Sequence, residues 1–310
     1  MLDALEDPPV PPGGALVEIR AAAVNFPDVL IVANQYQVSV PVPFVPGSEF
    51  AGVVLEVADG VTTVNPGDSV MGVAFVGAFA ESIAVDASAL TPIPEGMTFI
   101  EASAVQVTYQ TALSALRSAA DAKPDEWVVV LGAVGGVGSA TIEIAKMLGC
   151  KTIACVSNPE RAAIAREWGA DAAIDYGSED LKTAIRDATG GGADVVIDPV
   201  GGTLAEPALR ALRRGGRFVT VGYAGGDIPR IPLNLVLLKG ITITGFEMRG
   251  FGEHEPERAA ADRAALRELI AGGLRPRIGE VFPLKYGAEA LQHVADRLAV
   301  GKTVIEMVPA

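Results

Sequence analysis

Residues Trp127-Val-Val-Val-Leu131 and the segment that follows them, Gly132-Ala-Val-Gly-Gly-Val-Gly138, decide the fold. Four apolar residues after Trp127, three of them β-branched, run straight into glycines, as a buried parallel strand feeding a tight turn does. Behind the turn, Ser139 to Leu148 is rich in helix formers and places Ile142, Ala145 and Leu148 on one face, with Gly149 as the stop. Strand, turn and helix together present backbone N–H groups and a helix N-terminus to a pyrophosphate. The dinucleotide pattern is met at its second and third glycines, Gly135 and Gly138, while Ala133 fills the first slot. Gly135, Gly136 and Val137 are the candidate phosphate contacts. The competing reading is a tight βα turn with no ligand.

The next strand, Lys151 to Ser157, bears on which dinucleotide. Asn158-Pro159-Glu160 follows it as N-cap, N1 proline and acidic first turn. A site that prefers NAD usually places Asp or Glu about 20 residues on, to accept from the ribose 2′-hydroxyl. That place, 19 positions past Gly138, is held by Ser157. A hydroxyl, with Arg161 one turn into the next helix, suits a 2′-phosphate better than a carboxylate does. Tyr176 ends the third strand, Ala172 to Tyr176, on the same side. Singly, Arg161 reads equally as a solvated helix arginine and Tyr176 as a strand-end aromatic. Their convergence beside a missing acid favours NADPH.

The 310 residues, half of them hydrophobic, suffice for a large core and suggest two domains. With 38 acidic against 24 basic residues the net charge is −14, which repels nucleic acid and anionic membrane. No apolar run is long enough to span a bilayer and no basic-then-apolar leader opens the chain, so a soluble, cytoplasmic protein is expected. Cys150 and Cys155 fall at the start and interior of the second strand, on opposite faces, which excludes a disulfide between them or a shared metal. The two histidines, His254 and His293, lie far apart, so the usual zinc ligand sets are not available and no metal is expected.

The first hundred residues have another rhythm. Short β-rich pieces (Leu16 to Val24, Glu49 to Ala58, Ser69 to Val73, Ala80 to Val85) alternate with Pro- and Gly-rich breaks, which suits a partly open β-barrel. A capping box, Thr98-Phe-Ile-Glu101, predicts a long helix to about Ala120. From Glu126 strands and helices alternate, with further strands at Ala193–Val200, Arg217–Gly222 and Ile241–Phe246, which makes an α/β fold with a doubly wound parallel sheet. After Gly252 come a charged helix to Ala271, a short strand near Val281, a helix from Tyr286 to Leu298 and a last strand, Thr303 to Val308. This tail is expected to return to the first domain.

The chain resembles the medium-chain dehydrogenase/reductase superfamily, in particular its zinc-free quinone oxidoreductase branch, which includes ζ-crystallin-like NADPH:quinone reductases. The resemblance covers nearly the whole chain. It rests on Ala22-Ala-Val-Asn-Phe-Pro-Asp28, Val45-Pro-Gly-Ser-Glu-Phe-Ala-Gly-Val53, Pro66-Gly-Asp-Ser-Val70, Val107-Thr-Tyr-Gln-Thr111, the glycine turn, Asp198-Pro-Val-Gly-Gly202 and Gly301-Lys302. It implies a Rossmann NADPH-binding domain over residues 101–271. Residues 1–100 and 272–310 would form a GroES-like, partly open β-barrel catalytic domain. Zinc-using branches hold the metal with a cysteine and a Gly-His-Glu segment. Here Asn25-Phe26-Pro27-Asp28 stands in the cysteine's region and Ser48 replaces the histidine. Related chains usually begin with an additional strand before the match to Leu5-Glu6-Asp7-Pro8. Met1 enters almost at that point, so one edge of the first domain is expected to be unpaired or paired differently.

The family further implies that Asn25 contacts the nicotinamide ribose or the substrate, that Thr108 contacts the nicotinamide, and that Gly301 and Lys302 close over the cofactor. Gly222-Tyr223-Ala224 and Phe246 end strands at the sheet's carboxyl edge, where doubly wound folds bind ligands. Other readings make Asn25 a satisfied turn residue and Lys302 a solvated strand-end charge, while Glu49 reads as a buried, paired carboxylate. The expected activity is zinc-independent hydride transfer from NADPH to a small-molecule acceptor, a quinone or another conjugated carbonyl, with Asn25 and Asp28 as catalytic candidates. An enoyl-thioester reductase would add a positioned proton donor, for which Tyr36 in Asn34-Gln-Tyr-Gln37 is the candidate. A catalytically idle NADPH-binding protein is the third reading. A homodimer is expected through the uncharged, proline-free edge strand Ile241–Phe246.

Overall fold

The structure, a computed structural model, describes residues 5–307. Met1 and Val308, named in two of the expectations above, lie outside the described residues. The chain forms two compact units, Met1–Thr108 with Arg275–Ala310, and Tyr109–Leu274.

In chain order, the first unit contributes β1 (Gly14–Val24), α1 (Phe26–Val32), β2 (Glu49–Val57), β3 (Ser69–Val73), β4 (Ser82–Asp86), β5 (Leu90–Pro92) and α2 (Phe99–Ala102). Then come α3 (Thr108–Ser114), β6 (Trp127–Leu131), α4 (Gly136–Met147), β7 (Lys151–Val156), α5 (Pro159–Glu167), β8 (Ala172–Asp175), α6 (Leu181–Thr189) and β9 (Ala193–Asp198). They are followed by α7 (Ala205–Ala211), β10 (Leu212–Thr220), α8 (Leu233–Lys239), β11 (Thr242–Gly245), α9 (Met248–His254) and α10 (Pro256–Ala271). The chain returns to the first unit with β12 (Ile278–Pro283), α11 (Gly287–Ala295) and β13 (Lys302–Glu306).

β1 organises the first unit. One of its edges pairs along nearly its whole length with β2, from Ala15 to Ala23. Its other edge is shared: β4 takes Gly14–Glu18 and β13 takes Ala21–Val24. Register shifts after Leu16 and Ile19 bend the strand between those partners. The sheet runs β12-β13-β1-β2-β3-β5, with β4 off that path, and no ladder among the described residues joins its ends. It is a partly open barrel around Val17, Ile19, Phe50, Val54 and Val70.

The second unit is a parallel sheet in the order β11-β10-β9-β6-β7-β8. β6 and β9 lie at its centre, and Val128 to Leu131 and Val195 to Ile197 are fully buried, which is why they read as unbroken β-branched runs. Ladders in one direction bring the carboxyl ends of all these strands to one edge.

The long helix expected from Thr98 to Ala120 does not form. The capping box is present, with Thr98 Oγ1 accepting from the Glu101 N–H at 3.2 Å and Glu101 Oε2 from the Thr98 N–H at 2.8 Å. The helix nevertheless ends at Ala102 and turns fill residues 103–107, where Val107 gives its N–H to Glu49 Oε1 at 2.9 Å. The helix resumes as α3 and passes into a π-helical turn, Ala115–Ala119.

Candidate active site

α4 begins at Gly136 and not at Ser139, so Gly136 and Val137 stand in its first turn. Its N-cap, Gly135, is extended and supplies no capping side chain. First-turn amides have no acceptor within their own helix, so they leave the N-terminus as a forward-facing, partly positive set of donors. The third glycine of the pattern has a steric cause. A Cβ on Gly138 would lie 2.2 Å from the Gly132 carbonyl oxygen and 2.7 Å from Ala133 Cα. Only glycine lets the helix settle so closely on the turn. These residues fit the pyrophosphate of a dinucleotide.

Beside this cradle, β7 and β8 run parallel with Val156 opposite Asp175, which places Ser157 and Tyr176 at neighbouring strand ends. The Tyr176 N–H donates to Val156 O at 3.0 Å. Ser157 is exposed, and Arg161 and Tyr176 are half-buried. The Asn158 side chain accepts the Arg161 N–H at 2.8 Å and so fixes the first turn of α5.

On the other side, Asp198 ends β9 fully buried. Its Oδ1 accepts from the N–H groups of Val200 (2.9 Å) and Gly201 (2.7 Å). The loop it shapes then takes the next one: Pro199 O accepts from Ala224 and Val200 O from Gly225, at 3.1 and 2.7 Å. Val200 also packs on the glycine turn, where its Cγ2 would be 2.7 Å from a Cβ on Gly132. One carboxylate thus ties Gly222-Tyr223-Ala224 to the cradle. Its Oδ2 has no hydrogen-bond partner among the described residues, and burial raises its pKa from the ordinary value. The strand expected to run on to Val200 ends at Asp198, because this carboxylate draws the Val200 and Gly201 N–H groups into a turn. Phe246 is buried against Phe251, with ring centroids 5.2 Å apart.

The first unit holds a different arrangement. Asn25, Asp28, Glu49 and Lys302 meet in its interior, each at most 3% exposed. Lys302 Nζ donates to Asn25 Oδ1 and, at 3.3 Å, to Val24 O, and it lies 3.5 Å from Glu49 Oε2. That oxygen also accepts from Asn25 Nδ2 at 3.0 Å. Both ends of the Asn25 amide are therefore committed inside the protein, and Lys302 is a buried counter-ion rather than a solvated strand-end charge. Asp28 Oδ2 accepts the Asn25 N–H at 2.7 Å, while Oδ1 has no hydrogen-bond partner among the described residues. Burial pushes the Asp28 pKa up to about 6, against the nearby Ser48 hydroxyl, the Asn25 amide and the Lys302 ammonium. Burial also pulls the Lys302 pKa down. Gly301 has a structural cause of its own: its φ is +76° and a Cβ there would lie 2.5 Å from Arg277 O.

Thr108 is buried, its hydroxyl donating to Ala104 O at 3.3 Å. Tyr36 lies against Phe75, with ring centroids 6.3 Å apart. The two cysteines are free and buried. Among the described residues no three His, Cys, Asp or Glu side chains gather as a metal-ligand group, and no helix is long and apolar enough to cross a membrane.

Comparison with known proteins agrees with both units. The family model for an alcohol dehydrogenase GroES-like domain matches residues 11–95, and the one for a zinc-binding dehydrogenase matches residues 136–265. Quinone oxidoreductase-like protein 2 of Bos taurus is 38% identical over 302 residues, covering 96% of this chain and 86% of that protein. Pikromycin polyketide synthase component PikAII of Streptomyces venezuelae is 35% identical over 310 residues, covering 98% of this chain but 8% of that longer one. The crystal structure of Escherichia coli quinone oxidoreductase complexed with NADPH matches with a TM-score of 0.87 at 29% identity, over 98% of this chain and 95% of that one. The chain belongs to the medium-chain dehydrogenase/reductase superfamily, among its quinone oxidoreductase-like members, a family of NAD(P)-binding oxidoreductases.

Proposed function

We propose that the protein is an NADPH-dependent reductase that passes hydride to a quinone or another conjugated carbonyl without zinc. The observation that carries this reading is the open cradle at Gly135–Val137 with Ser157, Arg161 and Tyr176 grouped at the strand ends beside it. When bound, the nicotinamide supplies the hydride. The chain's part is to hold and orient. Gly136 and Val137 offer backbone donors to the pyrophosphate, and the Arg161 guanidinium meets the 2′-phosphate. Gly222 to Ala224, fixed through Asp198, border the site at the carboxyl edge. Phe246, at the same carboxyl edge, bounds the nicotinamide end. Asn25 and Asp28, buried and mutually bonded, act by holding the start of α1 rather than by touching the acceptor. Independence from zinc is supported by the side chains in the places where relatives hold metal. Asn25 is committed to Lys302, Glu49 and Asp28, Asp28 Oδ2 holds the Asn25 N–H, and Ser48 offers a hydroxyl.

A quinone suits a site without a dedicated acid, because its reduced oxygens are protonated from water. The similarity to a polyketide synthase component favours a second reading, reduction of an enoyl thioester with Tyr36 as proton donor. We further propose a cytoplasmic homodimer, since β11 lies at the sheet edge beside α8, whose Leu233, Leu237 and Leu238 are each at least 67% exposed. NADPH oxidation followed with a panel of small quinones and with crotonyl thioesters, before and after exhaustive chelation, tests the reading. Quinone turnover that survives chelation is expected. Turnover lost with stoichiometric zinc overturns the metal assignment. Turnover of thioesters alone favours the second reading, and cofactor binding with no turnover at all leaves an idle binding protein.

A further inference from the structure

The turn that carries Tyr176 is built more completely than a surface connection requires. Every backbone N–H from Asp175 to Glu179 has an acceptor. Asp175 gives its N–H to Glu179 Oε1 (3.0 Å), Tyr176 to Val156 O (3.0 Å) and Gly177 to Asp175 Oδ1 (2.9 Å). Ser178 and Glu179 both give theirs to Asp175 O, at 3.1 and 2.9 Å. The second carboxylate oxygen of Asp175 accepts from the Ser178 hydroxyl at 2.8 Å. The turn is also seated on its neighbour. A Cβ on Gly177 would lie 2.8 Å from Ser157 O and 3.1 Å from Asp175 Oδ1, so glycine permits an approach that no other residue would.

This changes the standing of Asp175. It is an acid at a strand end beside Ser157, the neighbourhood in which a carboxylate would bind a ribose hydroxyl and repel a 2′-phosphate. Yet it is only 7% exposed and both of its oxygens are turned into its own turn. We infer that Asp175 is a positioning residue for cofactor choice: it holds Tyr176 and Gly177 against Ser157 so that the 2′-phosphate contacts are set in place, and it does not meet the nucleotide itself. This rests on the NADPH reading above.

Titration of NADPH and NADH against the intact protein, by quenching of tryptophan fluorescence, tests it in the wild type and in Asp175→Asn, Asp175→Ala and Gly177→Ala. Asp175→Asn keeps an acceptor for the Gly177 N–H, so its NADPH Kd is expected to stay within about threefold of wild type. Asp175→Ala and Gly177→Ala are expected to weaken NADPH by about tenfold or more, the loss of one charged hydrogen bond, with NADH within about twofold. Tighter NADPH binding in Asp175→Asn would show that the carboxylate faces the phosphate and would overturn the inference. So would equal losses for both cofactors, which mark a purely structural turn, or no loss in either disruptive variant. A wild type that binds both cofactors equally would overturn the NADPH reading, and this inference with it. A discriminating wild type with indifferent variants would overturn the inference alone.

Discussion

Two polar regions of this molecule are built on opposite rules. In the first unit, Lys302, Glu49, Asn25 and Asp28 are taken almost wholly out of water and spend their donors and acceptors on one another. At the strand ends of the second unit, Ser157 is exposed, Arg161 and Tyr176 are half-buried, and the helix start at Gly135 has no side-chain cap. The first pattern ties backbone together. The second leaves chemistry facing outward at an organised edge. A buried ionic group therefore does not announce a ligand site by itself, and an exposed serine in the right place tells more about function.

The largest test breaks the closed region. Glu49 serves Asn25, Lys302 and the Val107 N–H at once. Removing one member of a buried ion pair leaves the other uncompensated, so Glu49→Ala should destabilise the fold by about 3–5 kcal/mol in urea unfolding. Glu49→Leu combined with Lys302→Met should cost less than Glu49→Leu alone, because no charge is stranded. Arg161→Ala should change stability by no more than about 0.5 kcal/mol. A Glu49→Ala loss under about 1 kcal/mol would erase the contrast between the regions.

Asp28 sharpens the comparison through pH. Its folded pKa of about 6 stands above the ordinary value of 3.8, so between those values the folded state binds more protons than the unfolded one. The protonated group's contribution is therefore fully present below 3.8 and is lost as pH rises through 6. Asp28→Asn keeps an acceptor for the Asn25 N–H but never ionises. Relative to wild type it should gain stability from pH 4 to pH 8, on the order of 2–3 kcal/mol at most. Thermal unfolding of both proteins across that range checks it, the other carboxylates cancelling in the difference. A flat difference would mean that Asp28 titrates as an ordinary surface acid.

In the open region the effect should fall on the ligand. Loss of a charged hydrogen bond to phosphate is worth about 1.5–3 kcal/mol, so Arg161→Ala should weaken NADPH by roughly ten- to a hundredfold and leave NADH nearly unchanged. Equal losses for both cofactors would take the 2′-phosphate away from Arg161.

How much of this could be read beforehand follows the range of the forces involved. The parallel sheet was legible because burial on both faces forces β-branched runs such as Trp127–Leu131, and the turn glycines mark their ends. The break after Ala102 was not. The capping box at Thr98 is local and correct, but the chain after Ala102 runs in turns, and there the Val107 N–H goes to Glu49, far away in sequence. Lys302 was ambiguous for the same reason, since a strand-end lysine becomes a buried cation only where Asn25 and Glu49 converge on it. The strand expected to end at Tyr176 ends at Asp175, and the turn that follows stayed hidden because its support comes from Ser157, in the neighbouring strand's loop.

The smallest effect on folding is expected at a third kind of surface, polar along one row and apolar beside it. Among the described residues β11 pairs with β10 on one side and with no strand on the other. Phe246 gives its N–H to Thr220 O at 2.9 Å, towards β10. Backbone groups alternate along a strand, and the register from Thr242 to Gly245 is unbroken, so Thr244 also donates towards β10 while the Ile243 N–H points away. Proline at the two positions should therefore differ. Thr244→Pro removes a donor from the existing ladder and should destabilise the fold, whereas Ile243→Pro removes only an outward donor. If a second copy pairs with this edge, Ile243→Pro should yield a folded monomer by light scattering at micromolar concentration. Leu237→Lys, on a side chain 80% exposed, should weaken the same dimer by about tenfold with folding changed by no more than about 0.5 kcal/mol. A wild type already monomeric at that concentration would end the dimer proposal, and a dimer indifferent to both changes would move its interface elsewhere.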